Sequence, residues 1–152
     1  MNINFEGVLK ELFTASPDFE QIYDAACKVN QVRLSDGEFV VWGEGILPGV
    51  FLLLQDNTVL GDPAWNKEIL TDVFAYFETM ATSDPELREF FKYATMDRFL
   101  EDPDLMRAAQ AYMGKETLRV YSEYETFDKE ARLWQLSKLY SEDELAAMGE
   151  AK

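Results

Sequence analysis

FVVWGEGILPGVFLLL, residues 39–54, is the most apolar stretch of the chain, and its interpretation decides the predicted fold class. It ends in five consecutive apolar residues, 50–54. A strand with one solvated face alternates apolar and polar residues. A continuous run therefore indicates a strand covered on both faces, or a buried helix too short to show its period. Pro48-Gly49 before the run and Asp56-Asn57 after it favour a strand. We predict a strand over residues 50–54, with Leu52 fully buried.

The residues around this run show further β signals. Asp36-Gly37 lies between two β-rich segments, residues 32–34 and 38–42, and Asp-Gly is a strong hairpin signal. The glycine-rich segment 43–49 is interpreted as a loop, and Asp56-Asn57 as a second tight turn. Together these signals predict a small antiparallel β-meander over about residues 31–61.

Helical periodicity flanks this region on both sides. Apolar residues recur at helical spacing over residues 4–14 and again after Ser16-Pro17. From residue 62 onward the chain is interpreted as helices. Asp-Pro pairs at 62–63, 84–85 and 102–103 each place an N-cap acceptor ahead of a proline, Gly114 is expected to end a helix, and Ser141 with Glu144 forms a capping box. The predicted fold class is α+β: one helix-dominated domain over residues 1–152, with helices packed on the meander.

Charge is the strongest compositional signal. The chain holds 29 acids and 14 bases, a formal net charge of −15. Direct binding to nucleic acid or to an anionic membrane is disfavoured, because phosphate binding needs clustered Lys and Arg. A basic protein partner fits this charge, and an acidity that only keeps the protein soluble is an equal alternative. A cytoplasmic location is expected, since the N-terminus lacks a signal-peptide pattern and a single cysteine forms no internal disulfide.

The chain lacks histidine and has one cysteine, which excludes Ser-His and Cys-His nucleophile systems and the usual zinc sites. No catalytic residue, cofactor or metal site is predicted. Gly43-Glu44-Gly45 differs from a phosphate loop, because Pro48 interrupts it and no lysine follows. A calcium loop starting at Asp56 would need an acid where Lys67 stands. Cys27 is interpreted as a small packed apolar residue.

A group of acidic residues between positions 84 and 104 is the candidate partner-binding surface, named here the acidic ridge. Its members are Glu86, Glu89, Asp97, Glu101, Asp102 and Asp104. Glu44, beside Trp42, is a further candidate for the same contact. An ordinary solvated helix face has the same composition and is the commoner explanation.

Three functions remain open. The first is a small binding module that occupies a basic nuclease or nucleic-acid-binding partner, as an inhibitor or immunity-type protein. The second is a structural or assembly subunit, of viral origin for example, in which exposed aromatic residues serve self-association into a homo-oligomer. The third is a carboxylate-dependent enzyme, ranked last because no catalytic set of residues can be assembled.

Overall fold

A computed structural model describes residues 3–139 and 142–150, and every regular element within them is helical. The α-helices are α1 Phe5–Ala15, α2 Pro17–Asn30, α3 Glu38–Val41, α4 Leu47–Gln55, α5 Pro63–Ala81, α6 Pro85–Glu101, α7 Pro103–Gln110, α8 Lys115–Leu139 and α9 Glu142–Glu150. A short 3₁₀ turn spans Leu34–Asp36, and a π-helical segment, Trp42–Ile46, joins α3 to α4.

The predicted α+β class and its β-meander over residues 31–61 are wrong. Helix makes up 85% of the structure, and no strand occurs in the described residues. The segment Glu38–Gln55 is helical from end to end, so residues 43–49 do not form a loop and residues 50–54 do not form a strand. A helix that its neighbours cover on all sides also has an uninterrupted apolar run, so the buried helix was the correct one of the two interpretations.

Both turn signals of the predicted meander have other roles. Gly37 has a φ of +99°, as glycine tolerates, but it starts α3 instead of closing a hairpin. The Asp36 carboxylate accepts a hydrogen bond from the Arg33 N–H at 2.8 Å. Asp56 accepts two bonds from Thr58, at 2.8 Å from its N–H and 2.6 Å from its hydroxyl, in the turn between α4 and α5. The dipeptides therefore mark turns correctly, and the elements they join are helices.

The core is aromatic and lies between α1, the α3–α4 helix, α5 and α6. Trp42, fully buried, packs against Phe77 and Phe90 with ring centroids 5.7 Å from each. Its indole N–H donates to the Thr95 hydroxyl at 2.9 Å, which satisfies the one polar atom of the ring and its buried partner. Trp42 therefore fixes the helix over residues 38–55 against α6.

The Asp-Pro helix starts are confirmed. The side chains of Asp62, Asp84 and Asp102 each accept an N–H from the first turn of α5, α6 and α7. Ser16 does precede α2, yet its side chain makes no capping bond. The capping box predicted from Ser141 lies outside the described residues.

The start of α8 is capped by a residue from another helix. Glu78 of α5 accepts hydrogen bonds from the N–H of Glu116, and from the N–H and hydroxyl of Thr117, at 2.7–3.0 Å. Burial raises the pKa of Glu78, but these three bonds outweigh it and lower the pKa overall. A Cβ on Gly114 would lie 2.4 Å from the Glu78 carboxyl carbon, so the glycine leaves room for this cap. Gly114 was expected to end a helix, but α7 ends earlier, at Gln110.

One span in the described part of the chain, Glu38–Gln55, is long and apolar enough to cross a membrane by length and composition alone, with a mean hydropathy of 1.3 over 18 residues. A core helix of a soluble protein meets the same criterion, and 44% of this span is buried inside the protein. The span is therefore weak evidence for a membrane segment.

The helical register separates two neighbouring leucines. Leu52 is 44% exposed, so the prediction of its full burial is wrong, whereas Leu53 is 1% exposed. We expect Leu53→Ala to lower the free energy of unfolding by about 2–5 kcal/mol, the range for buried leucines. Leu52→Ala, the matched control, should cost about 1 kcal/mol or less. Urea unfolding of both variants measures the difference, and equal costs would contradict this register.

Candidate functional site

The helix formed by α3, the π segment and α4 runs antiparallel to α2 and approaches it through two glycines. A Cβ on Gly49 would lie 2.8 Å from Cγ2 of Ile22. A Cβ on Gly45 would lie 2.9 Å from a ring carbon of Tyr23 and 3.1 Å from Sγ of Cys27. Real Cβ atoms do not pack this closely, so only glycine allows the observed separation of the two helices.

The π segment is stabilised by hydrogen bonds from side chains of two other helices. Pro48 has no N–H and cannot donate to the carbonyls of Glu44 and Gly43, four and five residues earlier. Asn30 of α2 donates to the Glu44 carbonyl at 2.8 Å, and Arg98 of α6 donates to the Gly43 carbonyl at 3.1 Å. The missing N–H leaves one of these two carbonyls without its backbone donor, and side-chain bonds reach both, which explains how the helix continues through the proline.

An apolar groove opens on the solvent side of this helix pair, with a volume of about 600 Å³. Its walls are α2 and α4, and the loop and first turns at the start of α5 close one end. The lining residues are Asp18, Gln21, Ile22, Ala25, Ala26, Val29, Asn30, Pro48, Gly49, Phe51, Leu52, Gln55, Leu60, Trp65 and Ile69. Small residues, Ala25, Ala26 and Gly49, leave the space that larger side chains would fill. Val29 at 81%, Leu52 at 44% and Trp65 at 38% exposure make the groove open to solvent.

The Trp65 end of the groove has a negative electrostatic potential. Asp18 is the one charged residue among those lining it, and its carboxylate accepts the Trp65 indole N–H at 2.9 Å. The C-terminus of α4 lies at this end, with no basic residue in its last turn to offset its partial negative charge. Asp56 follows directly, and hydrogen bonds from the hydroxyl and then the N–H of Thr58 lower its pKa.

The end of α4 is tied to α5 by a buried amide. Asn66, 1% exposed, donates from its side-chain nitrogen to the Leu53 carbonyl at 3.0 Å. This bond satisfies one of the carbonyls that a helix leaves free at its C-terminus. The bond therefore fixes the position of α4, the wall of the groove that carries Leu52.

The structure gives most of the predicted acidic residues partners within the chain. Glu44 pairs with Arg98 at 2.8 Å, Glu89 with Lys92 at 3.0 Å, and Asp104 with Arg107 at 3.4 Å. Asp97 accepts the Tyr124 hydroxyl, and Asp102 caps α7. Glu86 and Glu101 lie exposed near the two ends of α6. Nothing here tests whether these residues bind a partner, so the acidic ridge stays a prediction.

Cys27 packs beside the close approach at Gly45. Burial is the main cause that raises the pKa of its thiol above the ordinary value, and contact with Tyr23 partly opposes it. A raised pKa keeps the side chain in the thiol form at neutral pH, whereas reactive cysteines have a lowered pKa. Cys27 therefore has the environment of a packed apolar residue.

Sequence reasoning missed the groove. Ile22, Ala25, Ala26 and Val29 recur at the i, i+3, i+4, i+7 spacing of an apolar helix face. This face is rotated from Phe19 and Tyr23, and it could have indicated a second contact surface on α2. Leu52 and Trp65 carried no signal, because their positions relative to α2 depend on the fold of residues 38–66.

The chain was compared with protein-family models, with curated proteins and with solved structures. No match was found in any of the three comparisons. The functional interpretation therefore rests on the geometry of the site itself.

The close approach gives a direct test of how the groove is built. In a helix, Gly→Ala normally stabilises by about 0.5–1 kcal/mol. We expect Gly49→Ala instead to destabilise the protein by about 1–3 kcal/mol, because its Cβ meets Ile22 and forces α2 and α4 apart. Gly43→Ala is the matched control, since the nearest atom to its Cβ, Nη2 of Arg98, is 3.7 Å away. Thermal unfolding measures both; a stabilised Gly49→Ala variant would contradict the packing.

Proposed function

We propose that the protein is a binding module whose apolar groove holds an amphipathic helix of a partner protein, with a basic residue of that helix at the Trp65 end. The observation that carries the proposal is the open apolar groove with Val29, Leu52 and Trp65 exposed along it. An exposed apolar surface of this kind in a protein of net charge −15 marks an interaction site more often than a neutral surface feature. The proposal keeps the basic partner predicted from composition and moves the contact from the acidic ridge to the groove.

The dimensions favour a helix over a small molecule. The lining of α2 runs from Asp18 to Asn30, a span of thirteen residues or about 18 Å, which matches roughly three turns of a bound helix. Sites for small ligands bury about 70–90% of the ligand surface. A groove open along its length covers only one side of its occupant, as in helix-in-groove recognition.

The charge favours a basic helix over an acidic one. Asp18 and the C-terminus of α4 make one end negative, and the lining holds no base. A lysine or arginine at that end of the partner gains favourable interaction there, whereas a carboxylate is repelled. A basic helix is also attracted over longer distances by the net charge of the whole protein, at low salt most strongly.

Synthetic peptides test this proposal. The probe is an amphipathic peptide of leucine and lysine, with leucine at helical spacing; the matched control carries glutamate in place of lysine. We expect saturable binding of the lysine peptide only, measured by calorimetry at low and moderate salt. Val29→Lys should weaken it at least tenfold, about 1.4 kcal/mol, while Val40→Lys, on α3 outside the groove, leaves it unchanged.

Two further variants separate the groove from the acidic ridge. Asp18→Asn keeps an oxygen acceptor for Trp65 but removes the charge, and it should reduce the salt dependence of binding. Glu86→Lys with Glu101→Lys reverses two exposed charges of the ridge and should leave groove binding intact. If the ridge variant abolishes binding and Val29→Lys does not, the proposal is wrong and the ridge is the contact surface. Whether such a partner is a nuclease, as an immunity-type function requires, stays a prediction.

A further inference from the structure

The second half of α8 has little packing against the rest of the described protein. Helix α8 is 25 residues long, and its buried residues, Thr117, Val120 and Tyr124, all lie in the first ten. Beyond them, Phe127 is 47% exposed, Leu133 62% and Trp134 60%. The following helix α9 contacts α8, yet these large side chains remain open to solvent. Helix propensity alone stabilises a solvated helix of this length only marginally. An exposed apolar face on such a helix therefore indicates a surface that another molecule covers.

The exposed apolar residues continue the stripe that packs the first half of α8. Val120, Tyr124, Phe127, Ala131 and Trp134 are separated alternately by four and three residues. This is the spacing of the a and d positions of a coiled coil, where two helices bury a common seam. The first two members are buried in the core of their own chain, and the last three are named here the distal stripe. Phe127 packs at the edge of that core against Tyr93 and Tyr124 but stays 47% exposed, and Trp134 is 60% exposed.

The charges along the second half of α8 are divided between its two ends. Residues 123–130 hold four acids and one base, and residues 131–139 hold two bases and no acid. In an antiparallel pair of two such helices, the acidic part of each lies beside the basic part of the other. In a parallel pair, like charges lie side by side, which is unfavourable.

We propose that a second copy of this chain covers the distal stripe, by an antiparallel pairing of the two α8 helices. The self-complementary charge selects another copy over a basic partner, which residues 131–139 would repel. Ala131 lies at the centre of this pairing, where its small side chain lets the two helices approach, and the Trp134 ring of each helix lies opposite Phe127 of the other. The inference is independent of the groove, which is formed by other helices.

The oligomeric state is the first test. Sedimentation equilibrium up to about 200 µM should show a mass approaching twice the 17.5 kDa of one chain, since a single helix pair forms a small interface of moderate affinity. Trp134→Glu should return the mass to that of one chain, with an unchanged helical circular-dichroism spectrum because the side chain is already exposed. Leu118→Glu, a 38% exposed leucine of α8 off the stripe, is the matched control and should leave the dimer intact.

A monomer at all these concentrations, or a dimer that Trp134→Glu does not weaken, overturns the proposal. Should Trp134→Glu disturb the fold, Arg132→Glu with Lys138→Glu gives a second variant. It leaves every side chain of the apolar stripe in place, although it removes the Lys138 ammonium that lies 4.2 Å from the centre of the Trp134 ring and the Arg132–Asp128 ion pair. Because it makes the whole segment acidic, we expect it to weaken the dimer at low salt more than at high salt.

Helix orientation is the second test. In a Cys27→Ser background, Ser137→Cys carries one spin label per chain. In an antiparallel pair centred between Phe127 and Trp134, the two labelled positions are offset by roughly 20 Å along the axis, given 1.5 Å per residue. In a parallel pair they lie side by side, about 10 Å apart. Electron–electron distance measurement separates the two, and the short distance overturns the antiparallel pairing.

Discussion

The architecture depends on one constraint, the glycine-mediated contact between α2 and the helix over residues 38–55. Gly45 and Gly49 bring the two backbones closer than any other residue permits. The contact places Trp42 in the core on one side and leaves the apolar groove on the other. Pro48 would ordinarily end such a helix, and Asn30 and Arg98 compensate for its missing N–H by donating to the carbonyls of Glu44 and Gly43. A π segment and a groove are thus two results of the same local packing.

The surface combines a strong negative charge with two separate apolar features. The charge opposes non-specific association. Exposing the groove and the distal stripe of α8 to water is unfavourable, and a specific partner that covers them would relieve this. If both proposals hold, the dimer presents two grooves, and a partner with two basic helices would bind with an avidity that one chain lacks. Within the acidic ridge, Glu89 and Asp104 form ion pairs, whose individual contribution to stability is small at an exposed surface.

Local chemistry made part of this structure predictable. The Asp-Pro helix starts follow from a carboxylate that caps and a proline that needs no donor, and both requirements lie within four residues. The segment 38–55 was not predictable in the same way. Its apolar run fits a covered strand or a covered helix. The glycines that were interpreted as loop residues serve a contact with residues 18 to 27 positions away. The groove is a space between helices, so no single stretch of sequence contains it. The apolar face of α2 around Val29 was the one local signal that could have indicated a second contact surface.

The central claim is that residues 38–55 form a helix packed on α2 through its glycines. Carbon-13-edited NOE spectroscopy measures this most directly. If the glycines make this contact, the α protons of Gly49 give NOEs to the Cγ2 methyl group of Ile22, whose carbon lies 2.8 Å from the position of a Cβ built on Gly49. Gly45 likewise gives NOEs to the ring of Tyr23. Cross-strand contacts between residues 50–54 and residues 58–60, with no contact from Gly49 to Ile22, would contradict the claim.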